Sequence, residues 1–190
     1  MKQRCAWVND NPLMIAYHDL EWGVPLRDDQ KLFEFFVLDA FQAGLSWQTI
    51  INKRKNFEKA FDNFNVKKIA NYTEKDVNRL LQDAGIIRNR MKIEATVTNA
   101  KRFLEMQKEY GSFDTFIWQF TNQKTITNKW TSLKELPPRT EISDQMSVVL
   151  KKEGLKFVGS TICYAFMQAT GMVNDHLVSC FRHSEIKPRR

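Results

Sequence analysis

No apolar run in this 190-residue chain approaches the length of a membrane span, and the opening MKQRCAWVNDN lacks the apolar core of a secretory signal. No membrane association is expected, and a cytoplasmic protein is. Cysteine is scarce as well: three residues cannot all pair, which argues against a disulfide scaffold and fits a reducing compartment. Seven glycines and five prolines are too few for a collagen-like or low-complexity chain. No convincing run alternates apolar and polar residues between turn signals, so strands are not expected, and no segment repeats another.

What is present is apolar and basic. Hydrophobic residues make up 43% and aromatic residues 12%, enough at this length to bury a real core as one domain or two small lobes. Lys and Arg outnumber Asp and Glu by 29 to 22, and the resulting charge of +7 favours a polyanionic partner.

The chain reads as a succession of helices, and the expected class is all-α. Asp28 or Asp29 caps a segment in which Leu32, Phe35, Phe36, Ala40 and Ala43 share a stripe before Gly44 interrupts it. A second helix follows Ser46, with Ile50, Phe57 and Phe61 inward and Lys53, Arg54 and Lys55 outside. Thr73 and Asp76 form a capping-box pattern ahead of Val77, Leu80 and Leu81. Ile93, Val97, Ala100 and Leu104 stripe a longer helix ending before Gly111, and Ser112 caps the next. Residues 121–140 are polar, carry Pro137 and Pro138, and read as a long connection between two lobes. Ser143 starts another helix, and Ile162, Phe166 and Ala169 stripe the one after Gly159.

Two residue sets carry chemistry. Cys5 and His18 near one end, with His176 and Cys180 near the other, make the Cys2His2 combination that a structural zinc prefers. On a helix, His176 and Cys180 would share one face. A metal bound there would pin the two ends of the chain together; the bland alternative is buried cysteines and surface histidines with unrelated duties. The second set is Gly154-Leu155-Lys156-Phe157-Val158-Gly159-Ser160-Thr161. A glycine closing a tight connection allows close backbone approach, and free N–H groups at Ser160 and Thr161 could seat a phosphate beside Lys151, Lys152 and Lys156. The same residues also suit an ordinary Gly-capped turn with solvated lysines.

The runs Ala16-Tyr17-His18-Asp19, Glu21-Trp22-Gly23-Val24-Pro25, Gln42-Ala43-Gly44-Leu45-Ser46-Trp47, Phe157-Val158-Gly159-Ser160-Thr161-Ile162-Cys163-Tyr164 and Val173-Asn174-Asp175-His176 change the balance. In this order, and over essentially the whole chain, they resemble the 3-methyladenine DNA glycosylase I family. The resemblance implies one domain over residues 1–190 with the two-lobed fold of helix-hairpin-helix repair glycosylases. It also implies hydrolysis of the bond between 3-methyladenine and sugar in double-stranded DNA, by a monomer holding one structural zinc on Cys5, His18, His176 and Cys180. Asp39 falls where the family places its catalytic acidic residue, usually Glu, so the carboxylate is one methylene shorter here. Tyr17 and Trp47 match base-contacting positions, Trp7 completes the wall, and Gln42 lies alongside. Leu45 is the expected wedge into the base stack. Gly154, Lys156, Gly159, Ser160 and Thr161 become the backbone-gripping hairpin. Thr161 stands where strand-cutting relatives carry a Lys, and Thr cannot form a Schiff base, so a monofunctional enzyme is expected. Asn174 and Asp175 read as residues orienting the zinc-bearing segment. Asp39 keeps two alternatives open: a zinc-stabilised protein that recognises damage without cutting, and a glycosylase with a shifted lesion preference.

Overall fold

A computed structural model describes residues 2–186; the last four residues of the basic tail, 187–190, lie outside the described residues. The described chain is built from helices α1 (Pro12–Leu20), α2 (Asp29–Gln42), α3 (Trp47–Ala60), α4 (Val66–Ala70), α5 (Glu74–Gln82), α6 (Arg90–Tyr110), α7 (Phe113–Ile117), α8 (Glu141–Lys152), α9 (Ser160–Ala169) and α10 (Phe181–Glu185). The expected caps hold most of them. Asp28 accepts from Lys31 N–H, Ser46 from Thr49 N–H and Ser112 from Thr115 N–H, and Thr73 with Asp76 closes a capping box.

α2 organises the rest. All ten residues from Leu32 to Phe41 are buried, so this helix is covered on every side and not along one stripe. It packs against α3, α6, α7 and α9, while α4 and α5 pack on α6 and α8 packs on α9. One hydrophobic cluster runs through the molecule from Cys5 to Cys180.

The structure corrects four local expectations. α1 is a helix that the sequence reading passed over: Asn11 caps it, Pro12 starts it, and Met14, Tyr17 and His18 are its buried face. α8 begins at Glu141, because the cap is Thr140 and Ser143 sits three residues inside, its side chain accepting from the Thr140 N–H. Residues 121–140 are not wholly without strand: β1 (Ile126–Thr127) pairs in parallel with β2 (Val173–Asn174). Arg54 does not point into solvent, for its guanidinium on α3 is held at 2.7 Å by both Glu34 of α2 and Glu21, the residue that caps α1.

One glycine is fixed by close approach. Gly171 adopts φ +69° after α9, and a Cβ there would stand 2.3 Å from the Val24 carbonyl carbon and 2.4 Å from the Pro25 nitrogen. Gly171→Ala should therefore destabilise the protein by about 2 kcal/mol or more, combining backbone strain with overpacking. Chemical denaturation of parent and variant measures it.

Candidate active site

Tyr17 and His18 are consecutive on α1 and serve two adjoining sites. His18 turns toward the chain ends, where Cys5, His18, His176 and Cys180 meet, all buried, with their ligand atoms within 4.8 Å of one another. Cys180 Sγ lies 3.5 Å from both His18 Nε2 and His176 Nδ1, and Cys5 Sγ lies 3.6 Å from His176 Nδ1. The outer nitrogens are already engaged: His18 Nδ1 with Asp19 at 2.7 Å, and His176 Nε2 with the Trp22 carbonyl at 2.9 Å. These contacts set the tautomers so that the inner nitrogens carry lone pairs toward the cluster. Burial holds the His176 imidazole neutral, its pKa down to about 3, and pushes the Cys5 thiol up to about 12. The expected helix through His176 and Cys180 does not form. Residues 175–180 are irregular, and β2 with its turn brings the pair together instead.

Tyr17 turns the other way, into a cavity of about 210 Å³ lined by Trp7, Tyr17, Trp22, Asp39, Gln42, Trp47, Leu136, Ala165 and Gln168. Its aromatic walls support one another: Tyr17 to Trp47 at 5.0 Å between ring centroids, Trp7 to Trp22 at 5.0 Å, and Trp7 edge-on to His18 at 5.3 Å. The metal-type cluster and the cavity thus share a wall. Two buried polar atoms on this lining, Asp39 Oδ2 and Trp47 Nε1, have no hydrogen-bond partner among the described residues. Such atoms are rare in folded proteins because leaving them unpaired costs about 1–3 kcal/mol each.

The other buried acid of α2 shows the contrast. Glu34 is 4% exposed and receives Lys31 and Arg54, each at 2.7 Å. Asp39 is 2% exposed, and no cation among the described residues neutralises it. Desolvation alone raises its pKa well above the usual carboxylate range. A larger groove of about 460 Å³ lies outside α1, α2 and α3, but its Arg54, Glu21, Glu34 and Lys31 satisfy one another. The smaller cavity is the one with unmet chemistry.

Of the expected base-site residues, Tyr17, Trp47, Trp7, Gln42 and Asp39 are gathered in one cavity. Leu45 is not on its lining; it stands 41% exposed in the loop between α2 and α3. Trp22, Gln168, Ala165 and Leu136 were not foreseen there. Trp22 lies in the Glu21-Trp22-Gly23-Val24-Pro25 run, but nothing in the spacing marks Gln168, which reaches the cavity only because α9 packs on α2. Asp175 is saturated: Asn128 and Trp130 donate to one oxygen, Tyr164 and Gln168 to the other, all within 2.8 Å. With every acceptor lobe engaged it is a structural tie between β2, α9 and the 128–130 connection. Asn174 ties the same segment, donating to the His183 carbonyl and accepting from His176 N–H.

The remaining set lies at the turn between α8 and α9. Gly154 takes φ +80° and Phe157 φ +57°, folding the chain back within seven residues. Gly159 caps α9 without a side-chain bond, and a Cβ on it would meet nothing within 4 Å. Lys156 and Thr161 are exposed and Ser160 half-buried, so the helix start faces open space.

The fold is thus mostly helical, with an aromatic cavity that contains a buried carboxylate and stands beside a Cys2His2 cluster. The chain belongs to the methyladenine glycosylase family, whose model matches residues 7–183. It is 50% identical over 98% of its length, and 100% of the relative's, to DNA-3-methyladenine glycosylase 1 of Escherichia coli K12. Among solved structures, 3-methyladenine DNA glycosylase I superposes with a TM-score of 0.92 at 50% identity, covering 94% of this chain and 98% of the other. A tyrosine-to-phenylalanine variant of a 3-methyladenine DNA glycosylase I in complex with 3-methyladenine superposes at 0.91 and 34% identity, over 94% and 96% of the two chains.

Proposed function

We propose that this protein is a monofunctional DNA base-excision repair glycosylase that hydrolyses the N-glycosidic bond of 3-methyladenine in alkylated double-stranded DNA. The observation that carries the reading is the buried Asp39 carboxylate, unpaired beside an unpaired Trp47 N–H in an aromatic cavity. Methylation at ring nitrogen 3 makes the adenine cationic. A flipped lesion would bring Asp39 the positive charge it lacks, whereas undamaged adenine would leave the carboxylate uncompensated at a cost. Stacking against Tyr17, Trp47 and Trp7 would contribute about 1–3 kcal/mol per base. The cationic base departs neutral, so no general acid is required, and Asp39 acts by recognising charge. The shorter Asp side chain reaches less far than the family's Glu, leaving room for a bridging water.

Residues 1–190 form one glycosylase domain in this reading, with two lobes joined through 121–140. The α8–α9 turn is its helix-hairpin-helix element, with Gly154, Lys156, Gly159, Ser160 and Thr161 at the phosphate backbone and Leu45 entering the gap in the stack. Cys5, His18, His176 and Cys180 would hold one zinc. Tetrahedral Zn–S and Zn–N bonds of about 2.3 and 2.05 Å place S and N about 3.5 Å apart, the spacing found here. A divalent cation is also what would let the buried Cys5 thiol ionise, whereas burial already favours the neutral imidazoles. All four positions are protein donors, so the ion supplies structure and no chemistry. The protein acts as a monomer in the cytoplasm.

Incubation with methylated duplex DNA should release free 3-methyladenine and leave an uncut abasic strand; duplex binding without base release would instead establish a damage-binding protein. Gly159→Asp should fold normally, since its Cβ has room, and should weaken duplex binding whatever the sequence, because the added charge faces the phosphates. Salt-titrated affinities of variant and parent that coincide would remove the hairpin from the interface.

A further inference from the structure

Two buried polar side chains on α6 remain without a role in the cavity or the metal-type cluster. Lys92, 7% exposed, donates its ammonium to the carbonyls of Phe41 at 2.8 Å and Ala43 at 2.7 Å, where α2 ends and the loop to Trp47 begins. Seven positions on, Asn99, 2% exposed, clamps both backbone groups of Lys156: it accepts from the N–H at 2.7 Å and donates to the carbonyl at 3.0 Å. The two therefore share one face of α6, about 10 Å apart along its axis. Each grips main chain, which fixes where a loop sits regardless of what its side chains do.

The loops they grip need holding. The first turns through Gly44 at φ +81°, and the second through Gly154 at +80° and Phe157 at +57°, a left-handed conformation that is unfavourable for a non-glycine residue. The Lys92 ammonium also lies 6.0 Å from the Phe157 ring, so it stands between the two segments. A buried ammonium is a costly way to close a helix end that water or a backbone turn could satisfy. Its cost is explained if the distance between the loops matters.

We propose that Lys92 and Asn99 are positioning residues that make α6 a strut between the Leu45 loop and the 154–160 hairpin, so that the stack wedge and the phosphate seat meet one duplex in register. This rests on the reading that both segments contact DNA. Neither residue touches the substrate. A strut released at either end is released altogether, so the two residues should behave as one unit.

The experiment is a double-mutant cycle of Lys92→Met and Asn99→Leu, read by single-turnover excision of 3-methyladenine from methylated duplex and by calorimetry of free 3-methyladenine binding. Each single variant should excise about tenfold more slowly, the double variant about tenfold and not a hundredfold, with free-base affinity unchanged. Multiplying effects, an unaltered rate, or a parallel loss of free-base affinity would each overturn the strut. If either variant fails to fold, Lys92→Gln and Asn99→Asp replace them in the same cycle. Leu45→Ala and Gly159→Asp, assayed alongside, separate the two readings. Should these leave duplex binding and excision at parental levels, the loops are not DNA contacts; should they impair them while the α6 variants do not, the strut alone is wrong.

Discussion

Cys180→Ala should abolish tight metal binding and lower the melting temperature by about 10–20 °C. Protein purified without added metal should contain one zinc per chain, and a strong chelator should reproduce the variant's loss in the parent. The magnitude follows from topology. Cys5 and Cys180 lie near opposite ends of the described chain, and Phe181 N–H bonding to the Gln3 carbonyl at 2.9 Å is a weak clasp by comparison. Closing a loop of this length through a tight cross-link is worth roughly 4–5 kcal/mol in the chain-entropy model. At this size each kcal/mol corresponds to about 2–4 °C. The loss should extend to activity, because His18 adjoins Tyr17 and the Trp22 carbonyl holds His176, so the cluster and the cavity share supports. A metal content well below one, with Cys180→Ala folding and melting like the parent, would show that the four residues are merely close.

Asp39→Asn should slow single-turnover excision of 3-methyladenine by about tenfold or more, a loss of roughly 1.4 kcal/mol or more in transition-state stabilisation. It keeps the shape and removes the charge. The same variant should be more stable than the parent at neutral pH, and this opposite movement distinguishes a functional carboxylate from a structural one. Because burial raises the folded-state pKa of Asp39 above its unfolded value, the folded state retains the proton longer. Stability from this group is full below the ordinary aspartate value of about 4 and declines as pH rises above it toward the raised pKa. Asn carries no such penalty, so the difference in melting temperature should shrink as pH falls to 4. Asp39→Glu should hold or raise activity if the cavity keeps the family's dimensions. An Asn variant as fast as the parent would mean that Asp39 does not recognise the base.

Much of the helix plan was legible because its signals are local. Asp28, Ser46 and Ser112 accept from N–H groups three residues on, and Asp76 accepts from the Thr73 N–H, so their identity marks a boundary whatever the rest of the chain does. α1 escaped because nine residues carry little periodicity, and its burial comes from partners far along the sequence. Arg54 was misplaced for a related reason. Its neighbours Lys53 and Lys55 read as a solvated face, and only the approach of Glu21 and Glu34 from other helices turns it inward.

Caps and spacings alone are enough to set a mostly helical chain, and the residue types at Cys5, His18, His176 and Cys180 already make a soft-ligand set. The family resemblance likewise marks Asp39 without any contact being needed. Packing alone settles that, among the described residues, Glu34 is neutralised and Asp39 is not, that His176 and Cys180 meet across a turn and not along a helix, and that Gln168 and Trp22 join the cavity. The physical reason is range. Capping and periodicity act over three or four residues, whereas whether a buried charge finds a partner depends on which distant helix packs over it, and no local pattern encodes that.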